Sequence, residues 1–308
     1  MNWILLITLA TFFDSIRIFI DNYVSDVYFK KRSAVSQKIF YGFTSLITSI
    51  IILAITNFNL NGVDHGVIGL ILLSGLLSVL SSIPYIRALE VDDSINLGIF
   101  IQLAPILYLV FGWLFLGESF SPMQLIAFAI ILSAPILIIF SARKRSRHTK
   151  LKAILYAFLY VFIAVIGNLV YVKASANNIN FVHSIAFLLL GRGIGYTAIM
   201  SAVPKWRKRF YSVVKSSKLK VLVPMTIDHL IGLAKDFTYR GGLIAAPAVA
   251  IASAASDSVE PIFIFFMGII LTLIWPKFGR EKLDRKSIII HLIAIILVVA
   301  GIILLNML

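Results

Sequence analysis

The sequence predicts an all-α polytopic membrane protein, with ten transmembrane helices forming two inverted five-helix repeats. Three observations carry that prediction. First, 60% of the 308 residues are hydrophobic and only 14% are charged. Apolar runs of the roughly 20 residues that a bilayer core demands recur along the whole chain. Second, lysine and arginine gather in alternate connections, the mark of cytoplasmic loops. Third, a two-helix unit from Tyr85 to Ile138 has a counterpart that begins at Tyr239 and runs through Glu260-Pro261, Gly279-Arg280-Glu281 and Ala300-Gly301. Recurrence of a unit within a hydrophobic chain points to internal duplication.

Composition excludes several classes. A soluble fold would leave far more apolar surface in water than such folds tolerate, given a mean hydropathy of +0.97. The chain has no cysteine, so disulfides and thiolate metal sites are ruled out. The formal charge of +14 is explained by cytoplasmic loops without invoking nucleic acid. The first apolar run lacks a positive leading region and a small-residue cleavage site, so it reads as a retained span.

In order, the spans fall near 3–22, 38–56, 66–86, 95–115, 122–140, 153–172, 181–203, 221–239, 246–274 and 287–307. An acidic hinge (Glu90, Asp92, Asp93) leads into the fourth span, which carries Pro105. The turn Leu116-Gly117-Glu118 closes it. Ser121-Pro122 opens the fifth span, with proline in the first turn where its missing N–H costs least. The basic loop 141–152 separates the repeats, 1–145 and 146–308.

Charge sets the expected orientation. The connections after spans 1, 3, 5, 7 and 9, counting Lys38 at the very start of span 2 with the first, hold 23 of the 28 lysines and arginines. That side is assigned to the cytoplasm of a cell (inner) membrane protein, and both termini to the outside. Five spans is an odd number, so the second repeat inserts upside down. The loops agree: four basic residues follow span 1 but only Lys173 follows span 6, whereas none precede span 3 and seven precede span 8.

The residues Leu103-Ala104-Pro105, Leu116-Gly117-Glu118, Leu125 onward and Val259-Glu260-Pro261 resemble the EamA-like branch of the drug/metabolite transporter superfamily. Ile20-Asp21-Asn22-Tyr23 is similar to a signature that closes the first span in some members. The resemblance covers essentially the whole chain and implies ten helices, a central cavity, and transport of small metabolites, often export. It further implies that spans 1, 3, 4, 6, 8 and 9 line the cavity, with spans 4–5 and 9–10 as scaffold ends. The sequence departs from the pattern in its second half. Pro261 and Glu281 are 20 residues apart, whereas Pro105 and Glu118 are 13 apart. The difference is about two helical turns.

Charges at bilayer depth are expensive, at roughly 2.5–3.5 kcal/mol each, and face a cavity or a partner. In span 1, Asp14, Arg17 and Asp21 form one stripe. They either line a cavity, with a carboxylate binding solute or proton and Arg17 an anion, or Asp14 and Arg17 simply pair. Asp21 and Asn22 lie near the span end and suit an interfacial role. Span 8 carries Asp228, His229, Lys235, Asp236 and Arg240. Asp236 and Arg240 are spaced to pair, and Asp228 and Lys235 share a face. His229 adds a group of the type that titrates near neutrality. In span 9, Ser253, Asp257 and Glu260 follow helical spacing ahead of Pro261, and two carboxylates one turn apart are what a proton-coupled carrier needs.

Tyr85, Gln102, Tyr108, Tyr160 and Asn168 are further inward-facing candidates. Ser74, Ser78, Ser81 and Ser82 suit bonds back to their own helix. Gly191-Arg192-Gly193-Ile194-Gly195 follows no strand, so it is a packing element with Arg192 pairing a neighbour's carboxylate rather than a nucleotide fingerprint. No catalytic or metal motif is present. The expectation is a non-enzymatic secondary carrier, an exporter or exchanger without cofactor. It acts by alternating access on a zwitterionic or anionic metabolite, with protons as coupling ion, as a monomer or homodimer. A flippase for a lipid-linked sugar, or a non-transporting scaffold or receptor, are the alternatives.

Overall fold

A computed structural model describes residues 2–27, 34–57, 62–91, 103–142, 151–177, 179–274 and 285–306. The described residues form ten α-helices: α1 (Trp3–Val27), α2 (Ala34–Ile55), α3 (His65–Val91), α4 (Ala104–Phe111), α5 (Pro122–Ala142), α6 (Leu151–Ser175), α7 (Phe181–Ala202), α8 (Pro204–Ala245), α9 (Val249–Ile274) and α10 (Arg285–Asn306). A π-helical segment, Gly112–Leu116, extends α4. Six of the helices are long and apolar enough to span a membrane, and shorter apolar helices cover Ala104–Leu116, Pro122–Leu137 and Ile289–Leu304. The protein is thus an all-α, multi-pass membrane protein. Side chains such as Ile55, Trp113, Leu273, Ile274 and Ile296 are well exposed. Lipid, not water, is the solvent such a surface suits.

Local chemistry sets several boundaries. Ser121 and Gln124 form a reciprocal box at the start of α5. The Ser121 N–H donates to Gln124 Oε1 at 2.9 Å, and the Gln124 N–H to Ser121 Oγ at 3.2 Å. Asn180 caps α7 by accepting from the Val182 N–H at 2.8 Å. Gly117 adopts φ 72° after the π segment, a left-handed geometry that glycine takes without a Cβ clash. Ala246 precedes Pro247 and is extended, which ends α8.

One element departs from expectation. The basic stretch before span 8 is helical and continuous with it, so α8 runs 42 residues. Lysine and arginine are good helix formers, and a charged surface segment does not break a helix. The loop 143–150, the acidic hinge beyond Val91, and the region around Trp275-Pro276 and Glu281 lie outside the described residues.

The strongest pairings are α3 with α6, α1 with α8, α2 with α7 and α5 with α10, followed by α3–α7, α1–α9, α4–α9, α2–α8, α5–α9, α4–α6 and α9–α10. Exchanging each helix with the one five places along maps most of these pairs onto one another, whereas α5–α9 and α9–α10 have no counterpart among them. The α3–α7 contact is close. Gly191 lies on the backbone of Leu72, and Gly75 on that of Leu188 and Arg192. A larger residue at either place would push the helices apart. Two apolar clusters flank the centre. One joins α1, α4, α5, α6, α8 and α9 around Ile7, Tyr108, Val165 and Leu243, and the other joins α2, α3, α6 and α7 around Ile71, Tyr171 and Leu188.

Candidate functional site

A cavity of about 490 Å³ lies at the centre. That is a normal size for a small-molecule site. Among the described residues, eight helices contribute to its wall; α5 and α10 do not. The wall therefore includes α2 and α7, in addition to the six spans expected from the sequence. Asp14, Arg17, Asp21, Tyr85, Asn168, His229, Lys235, Asp257 and Glu260 all line it. Asp228 stands behind the wall, fully buried. Gln102 lies outside the described residues.

Charges on α1 and α8 are interlocked. Lys235 Nζ donates to Asp14 Oδ2 at 2.5 Å, and Arg17 Nη1 reaches Asp14 Oδ1 at 3.4 Å. Arg17 also reaches both oxygens of Asp228 at 3.4 Å. The Tyr41 hydroxyl, from α2, touches a carboxylate oxygen of Asp228 and lies 2.9 Å from Asp21 Oδ1, and its single proton can serve either one. Gly232 sits between Asp228 and Lys235 on the α8 face turned to α1. A Cβ there would meet the Arg17 guanidinium at 3.0 Å, so glycine lets the cation lie along the helix.

Two expectations are corrected by this geometry, and one is filled in. Lys235 and Asp228, which share a helix face, do not meet each other: Lys235 pairs with Asp14 and Asp228 with Arg17. Seven residues on one helix share a face but stand about 10 Å apart along the axis, so each finds a closer partner on α1. Asp236 does not pair with Arg240. It is held by Arg192 of α7, at 2.6 and 3.4 Å, which supplies the neighbouring carboxylate expected for Arg192. Asp21 is not merely interfacial, since it lines the cavity and is bonded to Tyr41. The simple Asp14–Arg17 pair exists, but as one link of a four-residue chain.

Other polar groups are tied down. His229 Nε2 lies 3.0 Å from the Thr48 hydroxyl, and its ring stacks on Tyr41. The Asn168 amide donates to the Tyr108 hydroxyl. The Tyr85 and Tyr160 rings are 5.0 Å apart. Ser78, Ser81 and Ser82 bond back to α3, whereas Ser74 crosses to the Gly167 carbonyl of α6 at 2.7 Å.

On α9 the picture differs. Asp257 and Glu260 form no ion pair among the described residues, although both face the cavity. Pro261, inside α9, cannot donate to the Asp257 carbonyl four residues earlier, which leaves that oxygen available to the site.

Glu118 has a role that turn propensity did not disclose. Its Oε1 accepts from the Val249 N–H at 2.7 Å, capping α9 across the molecule, while Oε2 is buried without a hydrogen-bond partner. A helix N-terminus favours a carboxylate. Burial pushes this carboxyl up, and the Val249 and Ala250 N–H groups pull it partly back. The sequence signal was the free N-terminus of α9 after Pro247, which no local side chain could cap.

The comparisons with known proteins fit this architecture. Residues 1–140 match the EamA-like transporter family. Over that stretch, a little under half of the chain, the protein is similar to membrane transporters of the drug/metabolite transporter superfamily. A solved crystal structure is similar over almost the full length. It covers 98% of this chain and 96% of its own, with a TM-score of 0.65 and 14% identity, a likeness of fold. No curated protein sequence matches the chain.

Proposed function

We propose that the protein is a secondary carrier that moves a small zwitterionic or anionic metabolite by alternating access through the central cavity, with protons as the coupling ion. The observation that carries this reading is the contrast at the cavity. Arg17, Lys235, Asp14 and Asp228 are joined by ion pairs, while Asp257 and Glu260 face the space with the charge of Lys235 in range but in no ion pair among the described residues. A carboxylate pair one turn apart, on a helix interrupted by proline, is where a proton can be taken and released as the cavity changes side.

The inverted-repeat reading is supported by the strongest helix pairings, α3–α6 with α1–α8, α2–α7 and α5–α10, which map onto one another when each helix is exchanged with the one five places along, and by the reversal of loop charge between the halves. With the basic connections in the cytoplasm, α9 enters from the outside, and Asp257 and Glu260 sit two to three turns below its start. Rocking of one set of helices against the other would then alternate access around them.

The test uses the full chain in proteoliposomes loaded with a cell metabolite extract, with release followed by mass spectrometry. Wild type should exchange a defined solute and do so faster under an imposed proton gradient. Asp257→Asn should keep exchange and lose the acceleration. Full acceleration in Asp257→Asn removes the proton role, and no protein-dependent release removes the carrier reading.

A further inference from the structure

Two charged side chains are fully buried among the described residues, and they are treated in opposite ways. Asp228 receives Arg17 and Tyr41. Arg240, only 4% exposed and part of the cavity wall, has neither an ion pair nor a hydrogen bond at Nε or Nη1. A buried guanidinium without an anion is costly. Its own helix offers a carboxylate one turn back, Asp236, but Arg192 holds both oxygens of that group.

What surrounds Arg240 is aromatic. Its guanidinium carbon lies 4.6 Å from the Tyr171 ring centre and 5.9 Å from that of Tyr239. Such faces support a cation without neutralising it. The Tyr171 hydroxyl is bonded to Ser184 at 2.7 Å, so the ring is fixed in place. One turn along α6, Asn168 is bonded to Tyr108, and both face the same space. The cradle is therefore rigid, cationic and lacking its anion.

We infer that Arg240, held against Tyr171 and Tyr239, is the subsite for the oxyanion head group of the solute, a carboxylate or a phosphate. The inference rests on the carrier reading above and moves its anion site from Arg17 and Lys235, both already paired, to a residue that is not. Guanidinium binds such groups through charge-assisted hydrogen bonds, and its planar donors fit a flat carboxylate well. Asp257 and Glu260 then remain for an ammonium or a proton. A solute with both signs would bridge α8 and α9.

The experiment is thermal unfolding of the full chain in lipid nanodiscs with sodium benzoate, sodium phosphate or, as a cationic control, benzylamine. A ligand that binds only the folded state raises the midpoint. Wild type should rise by several degrees with benzoate or with phosphate, and which of the two does so names the head group. The rise should vanish in Arg240→Met and persist in part in Arg240→Lys. A rise undiminished in Arg240→Met, or no rise with either anion in wild type, overturns the assignment.

Should the variants fail to fold, phenylglyoxal modification of Arg240 in the wild-type protein tests the same subsite. Benzoate or phosphate should slow the modification, and an unchanged rate counts against the subsite. Failure here with wild-type metabolite exchange intact rejects the subsite alone, whereas absence of exchange by the wild-type protein rejects the carrier reading.

Discussion

The two ends of one cavity settle their charges differently. Along the α1–α8 seam, both cavity-lining cations meet a carboxylate: Lys235 and Arg17 share Asp14, and Arg17 and Tyr41 share Asp228. On the wall built from α6, the last turns of α8, and α9, Arg240 and the Asp257–Glu260 pair form no ion pair among the described residues. Both arrangements come from side chains that looked alike in the sequence. The difference teaches that an ionisable residue at membrane depth is not one kind of object. Paired, it holds helices together at a fixed register; unpaired, it stands ready for something that arrives and leaves.

The contrast can be broken most sharply at Asp228. Asp228→Ala leaves Arg17 buried without its anion, and removing one partner of a buried pair costs about 3–5 kcal/mol. Chemical denaturation in detergent should show that loss; a change near zero would mean the seam does not hold the bundle. Lys235→Met should cost less, about 1 kcal/mol, since both partners are a quarter exposed and solvent screens the pair. Glu118→Gln weakens the cap on α9 and should cost on the order of 0.5–2 kcal/mol in the same measurement.

The smallest stability effects are expected where function should suffer most. Arg240→Met removes a charge with no anion to miss it. Its stability should stay within about 0.5 kcal/mol of wild type or rise, since functional groups are often held at the expense of stability. Solute exchange should nevertheless fall away. A large destabilisation by Arg240→Met, with exchange intact, would place it in the structural class with Asp228.

Much of the fold was legible because lipid imposes a simple rule. A crossing helix must satisfy its own backbone and be apolar for about 20 residues, and the ten expected spans match the described helices closely. The start of α8 was not legible, because lysine-rich surface segments look the same as loop or helix. At the site, helical spacing put Asp14 within reach of Arg17, and the pair is present, but it matched Asp236 with Arg240, whereas Arg192 holds Asp236. Spacing along a helix ranks neighbours on that helix, while the antiparallel crossing of α1 and α8 decides which charges meet.

Arg240 was hidden for the same reason. Asp236 stands four residues before it, and nothing in the sequence says that Arg192 takes that carboxylate first. Glu118 looked like a turn residue because its partner, the start of α9, lies 131 residues away. Tyr41 and Tyr239 carried no signal beyond being tyrosines in apolar spans.

The central claim is that these groups surround a wet space that opens to each side of the membrane in turn. The absence of native cysteine makes this directly measurable. Ser256, on α9 beside Thr11 and within the cavity wall, can be replaced in an otherwise unlabelled protein. Reaction of Ser256→Cys with a membrane-impermeant thiol reagent, applied separately to the outer and cytoplasmic faces of oriented vesicles, should occur from both, with solute shifting the balance. Labelling from neither face, or from one face whatever the conditions, would contradict the account.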